Sequence, residues 1–372
     1  MSFIKFYIKL IASFISNKLI VFFQSSRKSS GIKSKPKNFF VRISRYLDKV
    51  SVKYLFHDNA EKIKNNKKNI YFISTVWGKK FTELFFNISI PSVLQIDNLD
   101  SLLNEGYKCT FFIYTNNKSE FINLANQYPS FHILSKKVNV IIYDHDNYLR
   151  AGSVSVGEVC ADAYYFHAKK CINSNPYFFV INSDHIYGNH SFPNLINLIK
   201  GKDSSVATCH LRVDYQSFIK KYPNFFDIKD DIINNTFDND QLVNITFDHL
   251  HQFSIMCNDE LDENYTHGGV SWRKINDNTY SLIHSLPCLL LMQYKKSDLP
   301  WLEEVDNFTL HDRGWPVRLI HEGRMKIVSS SDIFYSFELS FSDENKHIAK
   351  KQLKYNDKVE NPYLQNIISN FL

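Results

Sequence analysis

The sequence predicts an α/β fold organised around a mostly parallel sheet with helices on both faces. Three observations carry that expectation. From residue 69 onward, short and nearly continuous apolar runs alternate with segments of helical periodicity, the pattern of parallel strands covered on both sides. The chain has 372 residues, 44% hydrophobic and 22% charged, enough for one large catalytic domain or two medium ones. Only 11 residues are Gly, which argues against a β-helix or a glycine-rich repeat. The same composition sets aside a disordered chain, a collagen and a polytopic membrane protein.

Taken in order, the chain opens on a basic arm. Residues 1–68 hold 16 Lys+Arg against 3 Asp+Glu, a net of +13, while residues 69–372 carry a net of −7. An acidic body argues against a nucleic-acid partner. A basic arm suits an anionic membrane surface. Residues 3–23 are apolar over a length that spans a bilayer, but Lys5, Lys9 and Lys18 interrupt them, and a central lysine costs roughly +2.5 to +3.5 kcal/mol. The expectation is a helix lying in the interface with its lysines at the headgroups; a first helix packed on the body is the alternative. No A-x-A cleavage site follows. Residues 24–38 form a Ser-rich basic linker, and residues 39–56 place Phe40, Ile43, Leu47 and Val50 at helical spacing.

The body follows. Ile70–Val76 predicts the first strand and residues 80–90 a helix. Thr110–Thr115 and Val138–Tyr143 predict the next two strands, the former followed by a short helix. Residues 154–173 predict a long helix, Tyr177–Ile181 a fourth strand, residues 192–200 a helix, and Ser205–Cys209 a fifth strand. In parallel sheets ligands bind beyond the carboxyl ends of the strands, so the chemistry is expected after Val76, Thr115, Tyr143 and Ile181. Thr75, Trp77 and Gly78 stand at the first of these ends, Asp144-His145-Asp146 at the third and Asn182-Ser183-Asp184-His185 at the fourth. There is no G-x-G-x-x-G, P-loop or G-x-S-x-G motif.

The six cysteines, Cys109, Cys160, Cys171, Cys209, Cys257 and Cys288, are sparse and form no C-x-x-C pair. That suits buried reduced thiols in a cytoplasmic protein. Phe (31) and Tyr (21) are abundant, and Lys outnumbers Arg. This bias is typical of AT-rich coding, so single aromatics and the N-x-S/T sequons at Asn87 and Asn244 carry little information.

The fourth strand end is the most suggestive. A nucleotide diphosphate needs a divalent cation, and Mg²⁺ and Mn²⁺ take oxygen ligands. Asn182 and Asp184 at i and i+2 on an extended segment would point the same way; a turn or helix-cap carboxylate is the plainer alternative for Asp184. With the order of elements, this resembles the GT-A class of nucleotide-sugar glycosyltransferases, with Asn182-Ser183-Asp184 at the place of the D-x-D motif and Asn replacing the first Asp. Val76-Trp77-Gly78, Ile90–Leu94 and Asp97-Asn98-Leu99 resemble the donor half of bacterial surface-polysaccharide transferases. The resemblance spans roughly residues 69–340. It implies a Rossmann-like catalytic domain, with a donor half at about 69–212 and an acceptor half at about 213–340, and a helical tail over 341–372.

The resemblance further implies site residues. Thr75, Trp77 and Gly78 would meet the nucleotide, with Trp77 offering a stacking face. Asn182, Asp184 and His267, the last beside Gly268-Gly269, would hold Mn or Mg. Arg313, and Arg318 near it, would clamp a phosphate. Glu303, Glu304, Asp306 and Asp312 are candidates for the general base of an inverting reaction; a solvated acidic run and a tight turn are the plainer readings of these stretches. Asp332, ending Ile327–Asp332, is a secondary candidate. His249 and His251, two apart, do not make an i,i+4 zinc pair. The implied activity moves a sugar from a nucleotide-sugar donor to a bacterial surface glycan or lipid-linked acceptor, at the inner face of the cell membrane. Two alternatives stand beside it: a degenerate transferase-fold binding protein, and a metal-dependent hydrolase using Asp144, Asp146 and Asp184.

Overall fold

The structure, a computed structural model, describes residues 69–115, 117–144, 167–168, 175–201, 203–229, 232–258, 270–276, 279–284, 288–298 and 315–341. The expected arm (1–68), most of the expected helix over 154–173 and the tail beyond 341 lie outside them. Among the described residues, no helix is long and apolar enough to cross a membrane.

The described residues open on β1 (Asn69–Thr75), which is almost entirely buried and rich in the β-branched and aromatic residues Ile70, Tyr71, Phe72 and Ile73. Gly78 follows with φ 75°, and its carbonyl accepts both the amide and the hydroxyl of Thr82, at 3.0 and 2.9 Å. That left-handed turn, open to Gly without a Cβ penalty, redirects the chain into α1 (Lys79–Leu84). The helix continues through a π-helical stretch, Phe85–Ser89, into α2 (Ile90–Val93). A second π-helical stretch, Ile96–Asp100, leads to α3 (Ser101–Asn104). After β2 (Lys108–Thr115), α4 (Lys118–Ala125) is capped by Asn117, which accepts from Glu120 N at 3.1 Å. Next, α5 (Pro129–Lys137) starts on a proline and ends on Lys136 and Lys137, as the helix dipole favours. β3 (Asn139–Asp144) and β4 (Tyr177–Val180) complete the first half.

The second half holds β5 (His185–Tyr187), α6 (Ser191–Leu198), β6 (Ser205–Thr208) and β7 (Arg212–Asp214). Asp214 caps α7 (Tyr215–Lys221), accepting from Ser217 N at 2.7 Å. A small antiparallel pair, β8 (Ile228–Lys229) and β9 (Ile232–Ile233), precedes α8 (Asn239–Asp248), which opens on an Asp238–Gln241 capping box. His249 ends α8, and His251 begins α9 (Gln252–Met256), its ring accepting from Phe253 N. Both histidines serve the backbone and packing, with His249 Nδ1 against Ser217 Oγ at 2.6 Å. β10 (Val270–Asn276) and β11 (Thr279–His284) pair antiparallel. β12 (Cys288–Met292), α10 (Trp315–His321), β13 (Met325–Ile327) and β14 (Ser336–Ser340) follow.

Seven of these strands make one sheet in the order β13-β6-β12-β4-β1-β2-β3. β1, β2, β3 and β4 are mutually parallel, and β12 alone runs against its neighbours, between β4 and β6. The fold is thus the Rossmann-like, mostly parallel α/β sheet that the sequence predicts; β12 was not among the expected strands. One face buries Ile70, Phe72, Phe111, Ile113 and Phe179 against Phe85, Phe86, Ile90, Val93 and Phe192 of the helices. Phe111, Phe72 and Phe179 stack across three strands at 4.6 and 5.3 Å. Each such buried side chain is worth about 1.5–3 kcal/mol. On the other face, Tyr71 and Phe112 meet His167, a helical residue followed by the buried Ala168.

A second sheet, β5-β14-β7, stands at the carboxyl end of the first. The strands β4 and β6 both run on into it, β4 to β5 through residues 181–184 and β6 to β7 through residues 209–211. In the large sheet β12 fills the slot between β4 and β6; in the small sheet β14 fills the slot between β5 and β7.

Candidate active site

The small sheet has two unlike faces because its strands alternate. Ile186, Val213, Phe337 and Leu339 point one way and pack with Phe218, Leu242 and Ile245 of α7 and α8. The pairing register sets Glu338 of β14 opposite both His185 and Arg212, so these three share the other face. His210, two residues before Arg212, and Ser340, two after Glu338, join them.

The contacts follow. His210 Nε2 lies 3.3 Å from Glu338 Oε2, and Arg212 Nε lies 3.3 Å from Glu338 Oε1. Ser340 Oγ donates to Oε1 at 3.0 Å. The His185 and His210 rings meet edge to face at 4.7 Å, and Asn182 Nδ2 reaches His185 Nε2 at 3.1 Å. His185 is buried and Glu338 nearly so. One ligand-type atom from each of His185, His210 and Glu338 lies within 4.8 Å of the other two. Asp184 is half-buried immediately before β5, with its carbonyl accepting from Leu339 N at 2.8 Å.

Charges in this space are strongly coupled. Burial, and then the Glu338 carboxylate, raise the Asp184 carboxyl above its usual range, against the pull of its own backbone amide, Arg212 and His210. Burial also works on Glu338, but the His210 hydrogen bond and the charges of Arg212, His210 and His185 outweigh it and hold Glu338 well below the usual range. Burial disfavours a charged His210, yet Cys288 and Glu338 beside it push its pKa up to about 10. Burial, together with His210 and Arg212, lowers His185 to about 3, in spite of Glu338. The result is one carboxylate held ionised, a second held towards the protonated form, one charged imidazole and one neutral imidazole. Such a spread is typical of sites that move protons or hold ions.

The place also matters. From β1 the chain builds outwards through β2 and β3, then returns to lay β4 on the other side of β1. The crevice between the carboxyl ends of β1 and β4 is therefore a topological switch point, where ligands of such sheets bind. Ile73 pairs with Val180, so Thr75 and Asn182 lie at corresponding heights on its two walls. Thr75, the half-buried Trp77 and the exposed Gly78 line the β1 side, and Asn182 and Asp184 the β4 side.

The structure corrects part of the sequence reading. β4 ends at Val180, and Ser183 and Asp184 form a turn, so Asn182 and Asp184 do not share one side of a strand. The Asn182 amide is engaged by His185. Asp144, at the end of β3, is three strand positions from β4, about 14 Å at the usual spacing, and does not join Asp184. Asp332 is exposed and bonded to Ser330 at 2.9 Å. Arg318 pairs with Glu322 at 2.7 Å. His267, Glu303, Glu304, Asp306, Asp312 and Arg313 lie outside the described residues, as does Asp146.

Four residues of the cluster, His185, His210, Arg212 and Glu338, were not among the predicted site residues. Their signal was period-two alternation: Cys209-His-Leu-Arg-Val-Asp214 and Phe337-Glu-Leu-Ser340 each set polar residues on one strand face.

No protein-family model matches the chain, and no curated protein does. Among solved structures, the chain is similar to a glucose-1-phosphate thymidylyltransferase from Bacillus anthracis in complex with a sucrose, at 10% identity and a TM-score of 0.31, over 80% of this chain and 99% of that one.

Proposed function

We propose that the protein is a nucleotide-sugar-dependent glycosyltransferase whose donor occupies the crevice beyond β1 and β4. The observation that carries this reading is the switch-point crevice, with Thr75 and Trp77 on one wall and Asp184 and the charged cluster on the other. Trp77 offers a face for a base, and Arg212 a guanidinium near the place of a diphosphate. In the transfer, the bond from the anomeric carbon to the diphosphate breaks and a bond to an acceptor hydroxyl oxygen forms. The acceptor proton passes to a carboxylate, for which Glu303, Glu304, Asp306 and Asp312 are the candidates. A divalent Mg²⁺ or Mn²⁺ would stabilise the leaving diphosphate. Asp184 fits as an oxygen ligand by its carboxylate at the β4 side of the crevice; Asn182 turns its Nδ2 to His185, which leaves its Oδ1 as the ligand atom. His267 is the further candidate.

The acceptor class is a surface glycan or a lipid-linked glycan. The +13 arm supports work at the anionic inner face of the cell membrane. A second reading, a transferase-fold binding protein without turnover, is favoured by Asn182 standing where the motif it resembles has its first Asp.

Calorimetric titration with UDP, GDP and CMP, with and without Mn²⁺, tests the proposal. Binding of one nucleotide that Asp184→Ala abolishes, with the far-ultraviolet circular dichroism unchanged, is the expected result. Failure of all three to bind rejects the enzyme. Binding without transfer to any glycan or lipid-linked acceptor leaves the second reading. For the arm, removal of residues 1–38 should release the protein from anionic liposomes; equal binding refutes the membrane role.

A further inference from the structure

We infer that His185, His210 and Glu338 form a binding site for a divalent first-row transition ion of the zinc type. Its first ligand follows Asp184 directly in the chain, so the site adjoins the Mg²⁺ or Mn²⁺ position expected there, and it stands whether or not a nucleotide binds.

The donor set points to this class. Two imidazoles and one carboxylate, each with a ligand-type atom within 4.8 Å of the others, match the three-protein-ligand pattern of zinc sites that keep an open position. Mg²⁺ prefers an all-oxygen octahedron and takes nitrogen poorly. The three residues come from three adjacent strands, β5, β14 and the segment entering β7, so the backbone hydrogen-bond ladder fixes their spacing.

The outer contacts favour the same reading. Glu338 Oε1 is held by Ser340 Oγ and Arg212 Nε, which leaves Oε2 directed at His210. Asn182 holds the Nε2 edge of His185. These are the kinds of partner that orient metal ligands. In addition, His210 Nδ1 is buried without a nitrogen or oxygen partner among the described residues, with the Cys288 thiol beside the ring, a weak partner for a buried ring nitrogen.

The test uses the full chain, stripped by a chelator and titrated with Zn²⁺ against a chromophoric competitor, then with Co²⁺ followed by visible absorption. The wild type should take up Zn²⁺ and give Co²⁺ ligand-field bands, and His185→Ala and Glu338→Gln should each remove both. Absence of uptake by the wild type, or uptake unchanged in both variants, overturns the site. If either variant loses its native circular dichroism, Ser340→Ala serves in its place. Loss of the carboxylate's outer partner should weaken Zn²⁺ by about 10–100-fold, and an unchanged affinity overturns the site. Nucleotide titrations of the same samples, with and without chelator, separate the two claims. Nucleotide binding without Zn²⁺ uptake rejects only the metal site, and the reverse rejects only the transferase.

Discussion

Two buried polar clusters of this protein differ in how completely they are satisfied. The first joins Arg324 and Asp298 by a two-pronged pair at 2.7 and 2.8 Å, with Glu322 at 2.6 Å and Ser204 at 3.0 Å from the same guanidinium. Every charge there faces its opposite. The second gathers Asp184, His185, His210, Arg212 and Glu338, and in it two carboxylates raise each other's energy, one imidazole is kept neutral and one ring nitrogen has no nitrogen or oxygen partner among the described residues. The first closes the end of the sheet beside β6 and β13, through Arg324 O bonding to Ser204 and Ser205 N. The second occupies the carboxyl end, where parallel sheets of this kind take their ligands. Full pairing marks a structural role; retained frustration at a ligand-binding position marks a functional one.

The largest expected effect is on the structural cluster. Asp298→Ala leaves the Arg324 guanidinium buried without its two-pronged partner, and should cost about 3–5 kcal/mol, read from chemical denaturation. A loss under about 1 kcal/mol would erase the distinction between the clusters. Gly188→Ala should cost about 1–3 kcal/mol. Its new Cβ would overlap Asn239 Oδ1, which holds Tyr335 N at 3.0 Å just before β14, so the seat of the small sheet, and the second cluster with it, would shift while the Arg324–Asp298 pair stays in place. Asp184→Asn should leave stability unchanged or raise it by up to about 1 kcal/mol while cutting transfer by at least about 10²-fold. That split between unfolding and activity is the signature of a frustrated functional group, and a matching loss of both would assign Asp184 to the scaffold. The smallest effect concerns thiols. Burial pushes Cys109 up to about 12, whereas Cys288 is half-buried beside His210. Alkylation of the native protein at pH 8, followed by mass spectrometry, should label Cys288 before Cys109.

Much of the large sheet was legible in the sequence because its inner parallel strands are buried on both faces and, with the half-buried edge strand β3, read as short apolar runs. Ile70–Val76, Thr110–Thr115, Val138–Tyr143, Tyr177–Ile181 and Ser205–Cys209 fall within a residue or two of β1, β2, β3, β4 and β6. Asp184 was legible for the same reason: it follows a strand end. β12 was not, since Cys288–Met292 pairs antiparallel into a slot set by distant strands. The break between α8 and α9 was not legible either, because His249 and His251, which turn the chain there, carry no helix-breaking signal. His210, Arg212 and Glu338 stayed hidden because each occurs in a short alternating stretch that is indistinguishable from an ordinary half-exposed strand.

The sequence by itself determined an α/β body, the direction of its parallel strands and hence the end at which ligands bind. Local periodicity and the handedness of crossover connections suffice for that. Only the tertiary structure decided what meets at that end. Glu338 lies 128 residues beyond His210, and it reaches His210 and His185 because β14 enters between β5 and β7 in one register. A one-residue slip would turn Glu338 into the apolar face beside Phe218 and bring Leu339 to the histidines. Strand register is a property of the packed whole, fixed by which face must be buried.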